Sequence, residues 1–138
     1  MRPFGCNAFV FENNKVLLIK RGEEPFKGKW SLPGGMIEMN EDAEQCIIRE
    51  VFEETGLNVV PECLIRLYSN PDRDPRKVIV ALYHCKLISG ELNRGSDASE
   101  AHWFSLDDLP ELAGDRKKMI NDAVKFLMYL NPIYGVFD

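Results

Sequence analysis

Residues 35–57 read GMIEMNEDAEQCIIREVFEETGL. Glu50, Glu53 and Glu54 stand near the C-terminal end of a predicted helix in this stretch. Helix physics favours acids at the other end. The macrodipole makes the last turn negative, and each misplaced carboxylate costs about 0.3–1 kcal/mol. The pairs Glu50/Glu53 and Glu50/Glu54 are like charges at i,i+3 and i,i+4, adding about 0.2–0.5 kcal/mol of repulsion each. Sequences that break a local rule in this way usually do so at functional sites. A bound divalent cation turns the repulsion into attraction.

The helix is well signalled. Asn40 reads as its N-cap, and Glu41 and Asp42 place negative charge in the first turn, where it helps. Gly56 stands just past the last turn as a stop. At about 100° per residue, Ile48, Val51 and Phe52 fall on one side with Ile47 at its border. Glu50, Glu53 and Glu54 share an arc of about 100° on the other side, with Arg49 beside Glu53. Ahead of the helix comes Leu32-Pro33-Gly34-Gly35. Paired glycines let the chain turn tightly and let a ligand approach the backbone. A main-chain carbonyl there can face the carboxylates as a neutral oxygen ligand. Hard oxygen ligands with no histidine nearby favour Mg²⁺ or Mn²⁺ over zinc.

Three clustered acids on an arbitrary helix read most simply as a solvated face. The spacing around them changes that reading. Gly35, five residues, Glu41, seven residues, then Arg49-Glu50-Val51-Phe52-Glu53-Glu54-Thr55-Gly56-Leu57 resembles the Nudix box at every defining position. Nine specified positions over 23 residues make the match highly specific. The resemblance extends to the lead-in Trp30-Ser31-Leu32-Pro33-Gly34-Gly35 with Glu38, and to Glu100, Trp103-Phe104 and Leu106-Asp107-Asp108-Leu109-Pro110. Cys46-Ile47 departs from it, since small alanines are common there.

The resemblance implies a Nudix-type α/β/α sandwich with a mixed β-sheet. It also implies hydrolysis of a nucleoside diphosphate linked to another group. Phosphate-anhydride cleavage needs charge stabilisation and an aligned water, and carboxylate-held metal supplies both. By position, Glu53 and Glu54 correspond to metal ligands and Glu50 to a ligand or the base. The Gly35 carbonyl is a further ligand, and Glu41 a peripheral one through water. Arg49 orients a glutamate, because an arginine cannot act as a base near neutral pH. Family members place their base or an extra ligand in the region of Glu100, with Asp97 as a competitor. The alternative for either is a solvated loop carboxylate. His84 and His102 read as structural. Trp30 reads as packing, or as an aromatic at the mouth that stacks a base.

Composition fits one compact enzyme domain over residues 1–138. Hydrophobic residues make up 45% and charged residues 28%, an ordinary soluble balance. The net charge of −5 argues against a nucleic-acid binder, which would show a basic face. Cys6, Cys46, Cys63 and Cys85 are scattered with no close pair in sequence. They read as buried free thiols in a reducing, cytoplasmic compartment. No signal peptide is visible, and the apolar run Val78 to Tyr83 is too short for a membrane span. Monomer and homodimer both remain open.

Along the chain, Cys6 to Phe11 and Val16 to Ile19 read as strands joined at Asn13-Asn14. Residues 21–29 read as a loop and Asp42 to Thr55 as the helix. Asn58 to Tyr68 and Lys77 to Leu87 read as long strands flanking a charged turn. Ala101 to Phe104 reads as a short strand and Leu106 to Leu112 as a helical turn. Asp115 to Leu130 reads as a final helix with Met119, Ile120, Val124, Phe126, Leu127 and Leu130 on its apolar side.

The segment Ser69-Asn70-Pro71-Asp72-Arg73-Asp74-Pro75-Arg76 resembles one in the ADP-ribose pyrophosphatase branch. Arg73 and Arg76 suit a terminal phosphate or ribose, since guanidinium forks match phosphates. A charged hairpin tip in water is the alternative. ADP-ribose or a similar nucleotide sugar is therefore the expected substrate. Clearance of damaged nucleoside triphosphates, or a non-catalytic nucleotide sensor, are the competing functions. The complete acid set argues against the sensor.

Overall fold

The computed structural model describes residues 1–93 and 100–130, so Asp97 lies outside the described residues. Its strands are β1 (Phe4–Glu12), β2 (Lys15–Lys20), β3 (Trp30–Ser31) and β4 (Gly34–Met36), followed by helix α1 (Ala43–Thr55). Then come β5 (Leu57–Tyr68), β6 (Ile79–Gly90), β7 (Ala101–Ser105) and helix α2 (Arg116–Leu130). A single 3₁₀ turn, Pro71–Arg73, lies between β5 and β6.

The middle layer is a mixed sheet in the order β3-β2-β1-β6-β5. β1 and β6 run parallel, while the other pairings between these strands are antiparallel. A parallel pair needs cover on both faces, and the strand residues sort to two sides accordingly. Phe9, Val16, Leu18, Val80 and Leu82 join Met119, Ile120, Ala123 and Leu127 of α2. Ala8, Val10, Leu17 and Cys85 join Cys46, Ile47 and Val51 of α1. One helix covers each face, which makes the expected α/β/α sandwich. The β1–β2 hairpin turns through Asn13 and Asn14, whose φ values are 52° and 62°.

Several local expectations are corrected. The N-cap of α1 is Asp42, not Asn40. Asp42 Oδ1 accepts from Gln45 N at 2.8 Å, and Gln45 Oε1 accepts from Asp42 N at 2.9 Å. This reciprocal box satisfies two donors at once, whereas Asn40 lies two residues too early. The buried stripe of α1 is Cys46, Ile47, Val51 and Thr55. Ile48 and Phe52 stay 43% and 41% exposed. The helix is thus rolled by about one residue toward Cys46, whose small side chain lets it sit close to the sheet. Leu130 of α2 is likewise exposed.

Leu106 to Leu112 is not helical. Asp108 N bonds Ser105 O in a turn, and the chain then runs extended beside Trp30. Pro110 lacks an N–H and disfavours helix at Leu109, which accounts for this. β3 and β4, with two and three residues, are too short to show a period in sequence. Among the described residues no helix is long and apolar enough to cross a membrane.

Candidate active site

The lead-in loop is pinned from beneath. Asn7 of β1 donates from Nδ2 to Leu32 O at 3.0 Å and Pro33 O at 3.4 Å, and Ala8 N donates to Pro33 O at 2.8 Å. Sequence reading missed Asn7, a polar residue within an otherwise apolar strand. A Cβ on Gly34 would overlap the Cys6 carbonyl oxygen, and one on Gly35 would stand 2.5 Å from Glu50 Cδ. Gly34 therefore lets the loop lie against β1, and Gly35 lets it lie directly against the Glu50 carboxylate. Glu54 Oε1 accepts the Gly34 N–H at 2.8 Å.

Arg49 gathers the remaining acids. Its fork grips Glu41, with Nε to Oε2 at 3.0 Å and Nη2 to Oε1 at 2.6 Å. Its Nη1 donates to Glu50 Oε1 at 2.6 Å and reaches Glu53 at 3.5 Å. Nη2 also reaches Met36 O at 3.3 Å. The Arg49 hydrogen bonds bring the Glu41 carboxyl down to about 2. Glu50 behaves oppositely: burial pushes it above the usual carboxylate range despite the pull of Arg49.

On the other side of Gly34 a cleft opens, lined by Glu54, Arg21, Arg76, Arg116, Ser31 and Cys6 among others. Arg116, at the start of α2, is only 5% exposed. It donates from Nε to Ser31 Oγ at 3.0 Å and from Nη1 to Asp115 Oδ1 at 3.2 Å. Burial lowers it to about 10, against the opposing pull of Asp115, so it remains cationic at neutral pH. Arg76 grips the buried Asp74 at 3.1 and 3.0 Å and still borders the cleft. Arg21 and Arg116 were missed, because an arginine at a strand end or helix start carries no periodic signal.

Arg73 is placed differently from expectation. Its fork is bidentate to Asp115 at 2.8 and 3.0 Å, with a third bond to Val78 O at 3.0 Å. Its side chain is 7% exposed, so it fastens the 3₁₀ turn to α2 and does not line the cleft. Trp30 packs edge-on to Phe104 at 4.9 Å and near His102 at 5.6 Å, also outside the cleft lining. Glu100 does not join the α1 glutamates. It is half-exposed, with Oε2 3.8 Å from Lys20 Nζ and Oε1 3.6 Å from His102 Nε2.

Among the described residues, no three acid, cysteine or histidine side chains are already gathered as a metal cage. Arg49 and the Gly34 N–H hold the acids individually. The donor chemistry still fits a hard cation: Glu50, which lies against Gly35, and Glu53 and Glu54 on the same helix supply carboxylate oxygens, with no imidazole among them. Mg²⁺-type ions keep several waters and use only one or two carboxylates directly, so a preformed cage is not required.

Comparison with known proteins agrees with this layout. The NUDIX domain model matches residues 1–123. An ADP-ribose pyrophosphatase from Methanocaldococcus jannaschii is 46% identical over 121 residues, covering 87% of this chain and 72% of the relative. The crystal structure of an ADP-ribose pyrophosphatase from Streptococcus suis superposes with a TM-score of 0.76 at 28% identity, covering 94% of this chain and 92% of the other. A bifunctional NMN adenylyltransferase/ADP ribose pyrophosphatase from Francisella tularensis, complexed with AMP and a Mn ion, gives a TM-score of 0.80 at 27% identity. That match covers 91% of this chain and 42% of the other. Carrying the complete acid helix and this match over most of its length, the chain belongs to the NUDIX family and is a pyrophosphohydrolase.

Proposed function

We propose that this enzyme hydrolyses ADP-ribose or a similar nucleotide sugar, using Mg²⁺ with Mn²⁺ as a substitute. The observation that carries the reading is a cleft wall shared by Glu54 of the acid helix and three arginines. Glu54 borders the same cleft as Arg21, Arg76 and Arg116, so a carboxylate suited to a cation lies beside three guanidiniums suited to phosphate. Likeness to ADP-ribose pyrophosphatases supports the same substrate.

Glu50, Glu53, Glu54 and the Gly35 carbonyl would hold the metal. When bound, it supplies Lewis acidity on the diphosphate and an acidified water. Arg49 orients Glu50 and Glu53 through its short bonds. Arg76 and Arg116 bind the negative charge of the diphosphate and the sugar phosphate. Glu50 stands within this acid surface and Glu100 apart from it, so Glu50 is the favoured proton acceptor. Water attacks phosphorus, the anhydride P–O bond breaks, and AMP and ribose 5-phosphate leave.

A kinetic panel with Mg²⁺ and chromatographic separation of products tests this. ADP-ribose should show the highest kcat/KM and yield AMP. A triphosphate with the highest kcat/KM that releases pyrophosphate would move the enzyme to nucleotide-pool cleaning instead.

A further inference from the structure

Two thiols far apart in sequence meet beneath the lead-in loop. The Sγ atoms of Cys6 on β1 and Cys46 on α1 stand 2.7 Å apart, although 40 positions separate them. That is inside the contact distance of two unbonded sulfurs and approaches the roughly 2.05 Å of an S–S bond. All four cysteines are unbonded here. The expectation of scattered thiols with no close pair therefore holds along the sequence but not in space.

Both sulfurs are buried. Cys6 is 2% exposed and shares the α1-side core with Cys46. Cys46 is 0% exposed, with Sγ 3.7 Å from Gly35 O and 3.5 Å from Met36 O. Because the two thiols already touch, the one oxidised first has its resolving partner in place.

We infer that Cys6 and Cys46 form an oxidation site, at which a small hydroperoxide that penetrates the α1-side core converts the touching pair to a disulfide fastening α1 to β1. In the first step the Cys6 sulfur attacks a peroxide oxygen. The O–O bond breaks, an alcohol (or water, from hydrogen peroxide) departs, and Cys6 becomes a sulfenic acid. In the second, the Cys46 sulfur attacks the Cys6 sulfur. The S–O bond breaks, and the hydroxyl leaves as water with the Cys46 proton. Two thiols are oxidised by two electrons, and one hydroperoxide is reduced. Cys6 pairs in register with Gly35, so the cross-link fixes the spacing between the lead-in loop and the acid helix. Burial of the attacking thiol makes the reaction slow.

The test uses the full chain, first reduced and then treated with hydrogen peroxide. After removal of oxidant and unfolding, titratable thiols should fall from four to two. A non-reduced digest should contain one linked pair, the peptides carrying Cys6 and Cys46. Closing a loop of about 40 residues should raise Tm by on the order of 10 °C, reversibly with dithiothreitol. Cys46→Ala should abolish that shift and the linked peptide. Should this variant fold poorly, the wild-type thiol count and peptide map decide alone. Four surviving thiols, a link through Cys63 or Cys85, or sulfinic acid without a link would each overturn the inference.

Discussion

Glu50 and Glu100 both carry a carboxylate suited to accept a proton from water, and position separates them. Glu50 lies against Gly35, beside Arg49, whereas Glu100 faces Lys20 and His102. Glu50→Gln should lower kcat by about 10²–10⁴-fold, the scale of a lost general base. Glu100→Gln should stay within a few-fold of wild type. The reverse pattern in steady-state kinetics would return the base role to Glu100. The arginines divide in the same way. Arg73→Ala removes the bidentate partner of Asp115 and leaves it only the Arg116 contact, and breaking a buried pair costs about 3–5 kcal/mol. Because Asp115 retains some solvent contact, the lower end is expected, read by urea unfolding, with kcat little changed. Arg76→Lys keeps the charge but loses the fork, and should raise KM with a smaller effect on kcat, as lost uniform binding does.

At the scale of elements, α1 is where sequence and structure agree best and where their differences are most instructive. Its C-terminal stop was legible because Gly56 takes φ 81° and its N–H bonds Phe52 O, a geometry that selects glycine. Its N-terminus was misplaced because Asn40 and Asp42 are both good caps, and only the reach of Gln45 back to Asp42 distinguishes them. Asp42→Ala should therefore cost about 1 kcal/mol, whereas Asn40→Ala should fall within about 0.5 kcal/mol of wild type. Equal losses in denaturant titrations of the two variants would contradict the capping box. The roll of α1 toward Cys46 was not legible, since periodicity identifies an apolar arc but not which edge of it meets the sheet. β3 and β4 exist through tertiary pairing with β2 and β1, and pairing partners are invisible to a local pattern. The acid cluster was legible because it violates helix electrostatics. Arg116 was not, because a buried arginine violates nothing until its neighbours are known.

The whole molecule carries these local charges into its response to pH. Arg49 joins the loop after β4 to α1 through Glu41, which also accepts the Glu38 N–H at 2.9 Å. Hydrogen bonding to Arg49 holds the folded Glu41 carboxyl at about 2, below its ordinary 4.5. A depressed carboxyl stabilises the fold fully above its unfolded value and loses that contribution as pH falls through the folded one. Glu50 contributes with the opposite sign. Burial raises its folded value, so its ionisation opposes folding above that point and has no effect once both states are protonated. Below about pH 4, self-repulsion is added, because the 17 lysines and arginines stay charged while the acids neutralise. Measured as Tm against pH without metal, Glu41→Gln should be less stable than wild type from pH 5 to 8. The two curves should converge as pH falls toward 2. Glu50→Gln should equal or exceed wild type near neutrality and converge with it below about pH 4. A Glu41→Gln curve running parallel to wild type down to pH 2 would mean that Arg49 does not hold this loop, and the orienting role given to Arg49 would fall with it.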